Sequence, residues 1–320
     1  MAKRDYLAEI AGVRGRNRHN LAVAELHLRL SRLESAFRSR EKVDAEFLKY
    51  FPVAMVACIE AYSRSQIREF IDRGSPFAER AARFDTATFK FDLTLLRALG
   101  AKVLTAGELV SHVLPINGLE DVNNHISILT GQDFLEQLKI VHDRWAVEVK
   151  KEPFEPIIGD PSDVFDGVKR CFDLRHIVAH EFASAARIEA SEIERCYKAA
   201  LTFLRAMAEY CNNALYPGAP LTQTDMNIEA AEDFRRCDAE LDSLVGEFLS
   251  LLEPKRQAEF EGVQKNWRAF REAVASFDSK PYQGGTIQSL IYSSSLEKTT
   301  QSRIAEMKSE LERLRRYPSG

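Results

Sequence analysis

Apolar residues recur three or four positions apart through most of this chain, and that spacing confines it to packed helices, since only a helix gathers such residues onto one face. Leu26, Leu30, Leu33 and Phe37 show the period most plainly. The same reading predicts a second helix from about Asp44 to Asp72, to which Phe47, Phe51, Met55, Ile59, Ala61 and Ile67 supply apolar area. Pro52 is a candidate kink in it, and Gly74-Ser75-Pro76 is its stop. Between residues 85 and 150 the pattern stays helical but the segments shorten, broken at Pro115, Gly118 and Gly131. A long packing face returns with Ile188, Ile193, Tyr197, Ala200, Phe203, Met207 and Tyr210. The expected fold class is all-α: a helical bundle with an inserted helical region, followed by a second small helical domain.

The stretch Asn213-Ala214-Leu215-Tyr216-Pro217-Gly218-Ala219-Pro220 carries the breakers of a linker, and the composition changes beyond it. This places a first domain at residues 1–215, a linker at 216–225 and a second domain at 226–320. At 320 residues the chain is long enough for each to bury its own core. No run approaches the roughly 18–20 apolar residues of a membrane span, and MAKRDYLAEIAGVRGRNRHN lacks the apolar centre of a signal peptide. A cytoplasmic location with no membrane partner is the expectation. Cys58, Cys171, Cys196, Cys211 and Cys237 are scattered without a CxxC pair and read as small core residues. The net charge of −4 supplies no global field for nucleic acid, so any RNA contact must come from local patches. Lys3, Arg4, Arg14, Arg16 and Arg18 form a basic arm that can touch phosphate, although a solvated, frayed terminus is the plainer expectation.

The polar chemistry concentrates at Arg175-His176-Ile177-Val178-Ala179-His180. Upstream, the Pro-rich KKEPFEPIIGDPSD reads as a surface connection, and Asp160-Pro161-Ser162-Asp163 supplies an N-cap with proline in the first turn, so the motif helix should start close to residue 161. With about 100° per residue, Arg175, His176, Ala179, His180 and Ala183 share an arc of roughly 140°. Cys171, Leu174, Ile177, Val178 and Phe182 take the other side. Val168 and Phe172 prolong the polar face as apolar surface, which suggests a face that meets another protein. Arginine offers a permanently charged fork for phosphate oxygens, and histidine is the side chain that exchanges protons near neutral pH. His176 and His180 stand four apart, the geometry of a metal pair, but Ile177 occupies the place of the HExxH glutamate and no third ligand is evident. No metal or cofactor is expected.

An arginine, a polar residue, three further residues and a histidine late on a helix resemble the signature of HEPN domains, a helical family that includes RNA-cleaving toxins and defence proteins. The resemblance covers about the first two-thirds of the chain. It implies a HEPN-like bundle and a metal-independent endoribonuclease in which RNA supplies its own 2′-hydroxyl nucleophile. Arg175 and His180 would be catalytic, and His176 would position RNA, share the proton work or simply hydrogen-bond on the helix face. Glu60 looks like the acidic residue on an early helix that can orient His180 or pair with Arg175; it equally fits a helix-edge carboxylate that reaches water. Arg64 and Arg68 are candidate RNA contacts, or partners for surface acids. The family further implies a homodimer through the motif face and control by an antitoxin or a phage-derived trigger. Residues 85–150 resemble an insertion found in some branches. Its His112, Asn117, Asn123, Asn124 and His125 could read exposed bases, with turn and cap duties the preferred expectation. A rival from a different class is a helical protein that binds RNA or a partner without cleaving.

Beyond the linker, Trp267, Phe270, Arg271, Gly284, Gly285, Thr299 or Thr300, and Arg303 form a spaced pattern that resembles the LprI-like domain known from lysozyme inhibitors. Where that family usually has two cysteines, this chain has Ala275 and Ser295. A reducing compartment would make a disulfide there useless. The second domain is expected to fold independently, with Trp267 and Phe270 as aromatic anchors, and to serve as a packing or sensing module.

Overall fold

The structure, a computed structural model, describes residues 5–17, 21–39, 45–84, 93–181 and 187–316. It is all-α, and among these residues no β-strand forms; the nearest approach is one isolated bridge between His142 and Pro156. The chain divides into two compact units, Met1–Gly218 and Ala219–Gly320.

The first unit is assembled around one helix. After α1 (Tyr6–Arg16), α2 (Ala22–Arg38) and the short α3 (Ala45–Leu48), α4 runs from Tyr50 to Arg73. Met55, Val56, Ile59, Ile67 and Phe70 along it are almost completely buried. Around it pack α2, α5 (Phe77–Ala81), α7 (Ala106–Val113), α8 (Leu119–Thr130), α10 (Pro161–His180) and α11 (Ala190–Leu215). Pro52 does not kink the helix. It stands in the first turn, where its missing N–H removes no helical hydrogen bond, and the break falls earlier, between Leu48 and Tyr50. The expected short segments are α6 (Leu93–Gly100), α7, α8, α9 (Phe134–Leu138) and a π-helical turn at Trp145–Val149. Phe134 packs edge-on against Phe203 of α11 at 6.1 Å between ring centres. A smaller cluster of Ile10, Leu95, Leu104 and Leu109 joins α1, α6 and α7.

Close helix approach depends on two glycines. A Cβ on Gly107 would lie 2.3 Å from the Arg68 carbonyl oxygen and 2.7 Å from Asp72 Oδ1. The approach lets Asp72 accept from Gly107 N at 2.9 Å and from Thr105 Oγ1 at 2.7 Å, tying the start of α7 to the end of α4. A Cβ on Gly167 of α10 would meet the Ala199 Cβ of α11 at 2.5 Å.

The second unit is a three-helix bundle of α12 (Gln223–Ser250), α13 (Pro254–Ser279) and α14 (Gln288–Arg316). Its first helix starts inside the stretch read as linker, capped by Thr222. Helix α13 returns antiparallel to α12, with Phe248 against Phe260 and Arg271 against Asp238. Helix α14 then runs parallel to α12, as the pairs Asn227 with Thr286 and Glu240 with Lys308 record. Leu241, Phe248, Ile304, Met307 and Leu311 form the apolar core.

Buried beside that core is a charge. The Arg271 side chain is 5 % exposed and donates to Asp238 at 2.5 Å and to Thr300 Oγ1 at 3.2 Å. Its guanidinium carbon lies 4.9 Å from the Phe234 ring centre and 5.3 Å from that of Trp267. Phe270, expected as an anchor, is 58 % exposed, and Phe234 of α12 takes that place. The reason is rotational: Phe270 and Arg271 are adjacent and stand about 100° apart around the helix, so with Arg271 turned inward Phe270 is left at the surface.

Two stability outcomes follow from this packing. Gly107→Ala should lower the urea midpoint by the equivalent of about 1–3 kcal/mol, because the new methyl meets backbone that cannot rotate away; an unchanged midpoint would show that α4 and α7 can separate freely. Asp238→Ala should destabilise the second unit by up to about 3 kcal/mol by leaving Arg271 buried without its carboxylate, and Arg271→Met should cost less because charge and pair go together. Thermal unfolding of the two variants, compared side by side, checks that order.

Candidate functional site

The helix α10 begins as the cap predicts. Asp160 accepts from Asp163 N at 3.1 Å with Pro161 in the first position, and the helix ends at His180, where Glu181 N returns to the Ile177 carbonyl at 3.0 Å. Val164, Gly167, Val168, Cys171, Phe172 and Leu174 are buried. Val168 and Phe172 therefore lie in the chain's own core and cannot extend a surface toward a second copy. Their burial follows from α4, α8 and α11 all packing on α10, so a stripe that looks free on the isolated helix is covered. One edge of the helix, Ser162, Asp163, Asp166, Lys169 and Asp173, is exposed along its length, and the last turn and a half adds His176, Ala179 and His180. Phe182 and Ala183 lie outside the described residues.

At that emergence two distant parts of the chain meet. Arg175 Nη2 donates to Glu60 Oε1 of α4, across 115 residues of sequence. The side chains are 21 % and 27 % exposed, mostly covered by protein but reaching solvent at the edge. Of the alternatives open to Glu60, the structure has the arginine pair. His176 and His180 present their rings together, 4.9 Å between centres and tilted by 51°. The arrangement combines a held guanidinium with two solvent-accessible imidazoles on one helix turn, a set able to bind a phosphate and to give and take protons.

Arg64 and Arg68 diverge, although they follow Glu60 at one-turn spacing. Arg64 Nη1 donates to the Leu114 carbonyl at 2.8 Å and to that of Ser111, closing the C-terminal end of α7. Arg68 is half-buried beside Glu108. In the inserted region the polar residues serve the fold. His125 is buried with Nε2 on the Pro115 carbonyl at 2.8 Å, and Asn123 Oδ1 accepts from Leu135 N at 3.0 Å. His112 meets Glu9 at 2.7 Å, and Asp121 takes the backbone N–H of Asn117 at 2.7 Å. Asn124 is exposed.

The basic arm is also docked where it is described. Residues 6–16 form α1, and Arg14 Nε donates to Glu108 Oε1 at 2.7 Å while Nη1 reaches the Val103 carbonyl at 3.1 Å. The expected fraying fails there because the anchors lie about ninety residues away, beyond any local pattern. Lys3, Arg4 and Arg18 lie outside the described residues. Burial alone would raise the Glu108 carboxyl, but the hydrogen bonds from Arg14 and the Thr105 N–H and the charges of Arg14 and Arg68 outweigh it, holding it below the ordinary glutamate range.

Among the described residues no group of three or more His, Cys, Asp and Glu side chains gathers closely enough to hold a metal ion. No helix among them is long and apolar enough to cross a membrane.

In the second unit, Arg303 accompanies Arg271 at the Trp267 ring, 5.9 Å from its centre, and bonds Gln264 at 3.2 Å. Gly284 takes a φ of +81° in the turn before α14, a conformation that favours glycine. The sequence model of the family described as Lysozyme inhibitor LprI matches residues 217–307. This segment is an LprI-like domain. The match leaves residues 1–216 uncovered, and no curated protein and no solved structure matches the chain. In the LprI-like domain Ala275 is fully buried on α13, while Ser295 of α14 donates to Asp278 of α13 at 2.6 Å. A hydrogen bond thus joins the two helices that carry the positions read as cysteine sites.

Glu108 sets a pH expectation. A carboxylate whose folded pKa is depressed contributes stability that is present above its unfolded value, about 4.3, and is lost as pH falls through the folded one. The first unit should therefore weaken below about pH 4.3, and Glu108→Gln should flatten that part of the stability profile. Denaturant midpoints measured from pH 6 downward for both proteins test the sign; identical slopes would contradict it.

Proposed function

We propose that the chain is a metal-independent endoribonuclease whose site is the Glu60, Arg175, His176 and His180 cluster, a HEPN-type effector of the toxin or anti-phage class acting in the cytoplasm. The observation that carries the reading is the Glu60–Arg175 pair beside two exposed imidazoles, which brings the residues singled out by the resemblance to one place from two helices. The chemistry asks for little more. One imidazole takes the proton from a ribose 2′-hydroxyl, the 2′-oxygen attacks phosphorus, and the bond to the 5′-oxygen breaks as the second imidazole protonates it. Arg175 stabilises the charge on the phosphoryl oxygens, and Glu60, holding Nη2, fixes the direction of the guanidinium. The products are a 2′,3′-cyclic phosphate, or the 3′-phosphate from its hydrolysis, and a 5′-hydroxyl.

A second copy on this face would double the set of groups, as the family resemblance implies. Its support is the exposure of His176, Ala179 and His180, since Val168 and Phe172 are spoken for by the core. The LprI-like domain fits a controlling module, through which an antitoxin or phage-derived trigger would act. The rival reading, RNA or partner binding without cleavage, uses the same face and differs only in leaving no product.

Single-stranded RNA incubated with the protein in EDTA should yield cyclic-phosphate ends. His180→Ala should reduce the rate about 10²-fold or more, and Arg175→Ala by a comparable factor, with folding intact. Cleavage that persists in both variants, requires magnesium, or proceeds on the deoxy substrate assigns the chemistry elsewhere; binding with no product favours the rival.

A further inference from the structure

Next to the Glu60–Arg175 pair, α4 turns a strip of small side chains outward. Ala57, Ala61 and Ser65 stand four residues apart and so line one edge of the helix, and both alanines are exposed. With residues of α1, α2 and α7 they line a cavity of about 620 Å³. A second hollow of about 350 Å³ shares Ala57, Ala61, Ser65 and Arg68 with the first and extends to Glu60. The two make one groove, with the pair that anchors the proposed site at one end.

The charge in this groove is unlike that of the chain. Acidic residues outnumber basic ones overall, 48 to 44, yet the larger cavity is lined by four arginines and two glutamates. Arg14 is committed to Glu108. Arg16 and Arg29 are exposed and Arg68 half-buried, and among the described residues none of these three forms an ion pair. Three guanidiniums over a floor of small side chains are complementary to a chain of phosphates. Along α4 the groove is lined by Ala57, Ala61 and Ser65 beside Cys58 and the buried Tyr62, and the three small side chains let a backbone approach.

We propose that the groove holds the phosphodiester backbone of the single-stranded RNA next to the cleaved bond, with Arg16, Arg29 and Arg68 contacting its phosphates. The inference rests on the reading of Glu60, Arg175, His176 and His180 as an RNA-cleaving site, and it adds where the substrate lies. From Glu60 to Arg68 along α4 is about 12 Å, the reach of a few nucleotides. Contacts of this kind read no bases, so the groove supplies affinity and direction and leaves sequence preference to other residues.

The test uses the full chain and a fluorescent single-stranded 2′-O-methyl oligoribonucleotide, which cannot be cleaved because its 2′-oxygen has no proton to lose. Binding is followed by anisotropy over a range of salt. The double variant Arg16→Ala/Arg29→Ala changes only exposed side chains and should keep the wild-type melting temperature. It should bind at least about tenfold more weakly at low salt, and the salt slope should fall by about 0.7 for each arginine removed, the single-strand value. Lysines at the two positions should recover most of that loss, since the contact is with charge. Arg68→Ala should act in the same direction. Wild-type affinity and slope in the double variant would overturn the groove whatever happens to cleavage, and so would failure of the wild-type chain to bind the oligonucleotide at low salt. Binding that depends on the arginines in a protein that leaves ordinary RNA intact would uphold the groove and sink the cleavage reading, so the two ideas fail separately.

Discussion

Burial of α4 on most of its circumference is the constraint from which the rest of the first unit follows. A helix packed by so many neighbours can expose only what the gaps between them leave, and beside the Arg175 pair the gaps fall at Ala57, Glu60, Ala61 and Arg64. Met55, Ile59, Ile67 and Phe70 give up most of their surface, each side chain worth about 1.5–3 kcal/mol of transfer free energy. That sum fixes the helix in position, and with it the direction in which Glu60 points. The backbone that carries Glu60 is part of that core, and its carboxylate meets Arg175 at the surface.

The pair formed by Glu60 and Arg175 reaches solvent with about a quarter of each side chain, and ion pairs open to water contribute about 0–1 kcal/mol. Stability gives little reason to join residues 115 positions apart in this way. Orientation gives a better one, since a guanidinium fixed at one nitrogen presents its remaining donors in a set direction. Arg271 in the LprI-like domain is the opposite case. Buried among Phe234, Trp267, Asp238 and Thr300, it joins α12, α13 and α14, with Asp238 and Thr300 accepting from Nη1.

Much of this was legible in the chain itself, and the misses share a cause. Helical period, the Asp160 cap and the outward turn of Arg175, His176 and His180 are local properties, set within a few residues, and they appear as read. The family pattern, spaced from Trp267 to Arg303, is carried by residue types in order along the chain, and the LprI family model matches residues 217–307 around it. Val168 and Phe172 were misjudged because whether an apolar stripe is covered depends on how many helices pack on α10, which no spacing records. The docking of α1 depends on Glu108 and the Val103 carbonyl, and the duty of Arg64 depends on the end of α7. The groove was invisible for the same reason: Arg16, Arg29 and Arg68 come from three helices, and only their assembly makes a basic surface in an acidic chain.

The parallel course of α12 and α14 bears on how the LprI-like domain is made. Two parallel helices cannot be joined by a tight turn, so α12 must wait for the whole of α13 to be synthesised before its main partner exists. Until then Leu241 and Phe248 lack Ile304, Met307 and Leu311, and Arg271 lacks Thr300. An α12–α13 hairpin without α14 leaves the apolar side chains of α12 open to solvent. Mutations in α14 should therefore act first on the yield of soluble protein, before any effect on its finished stability can be seen.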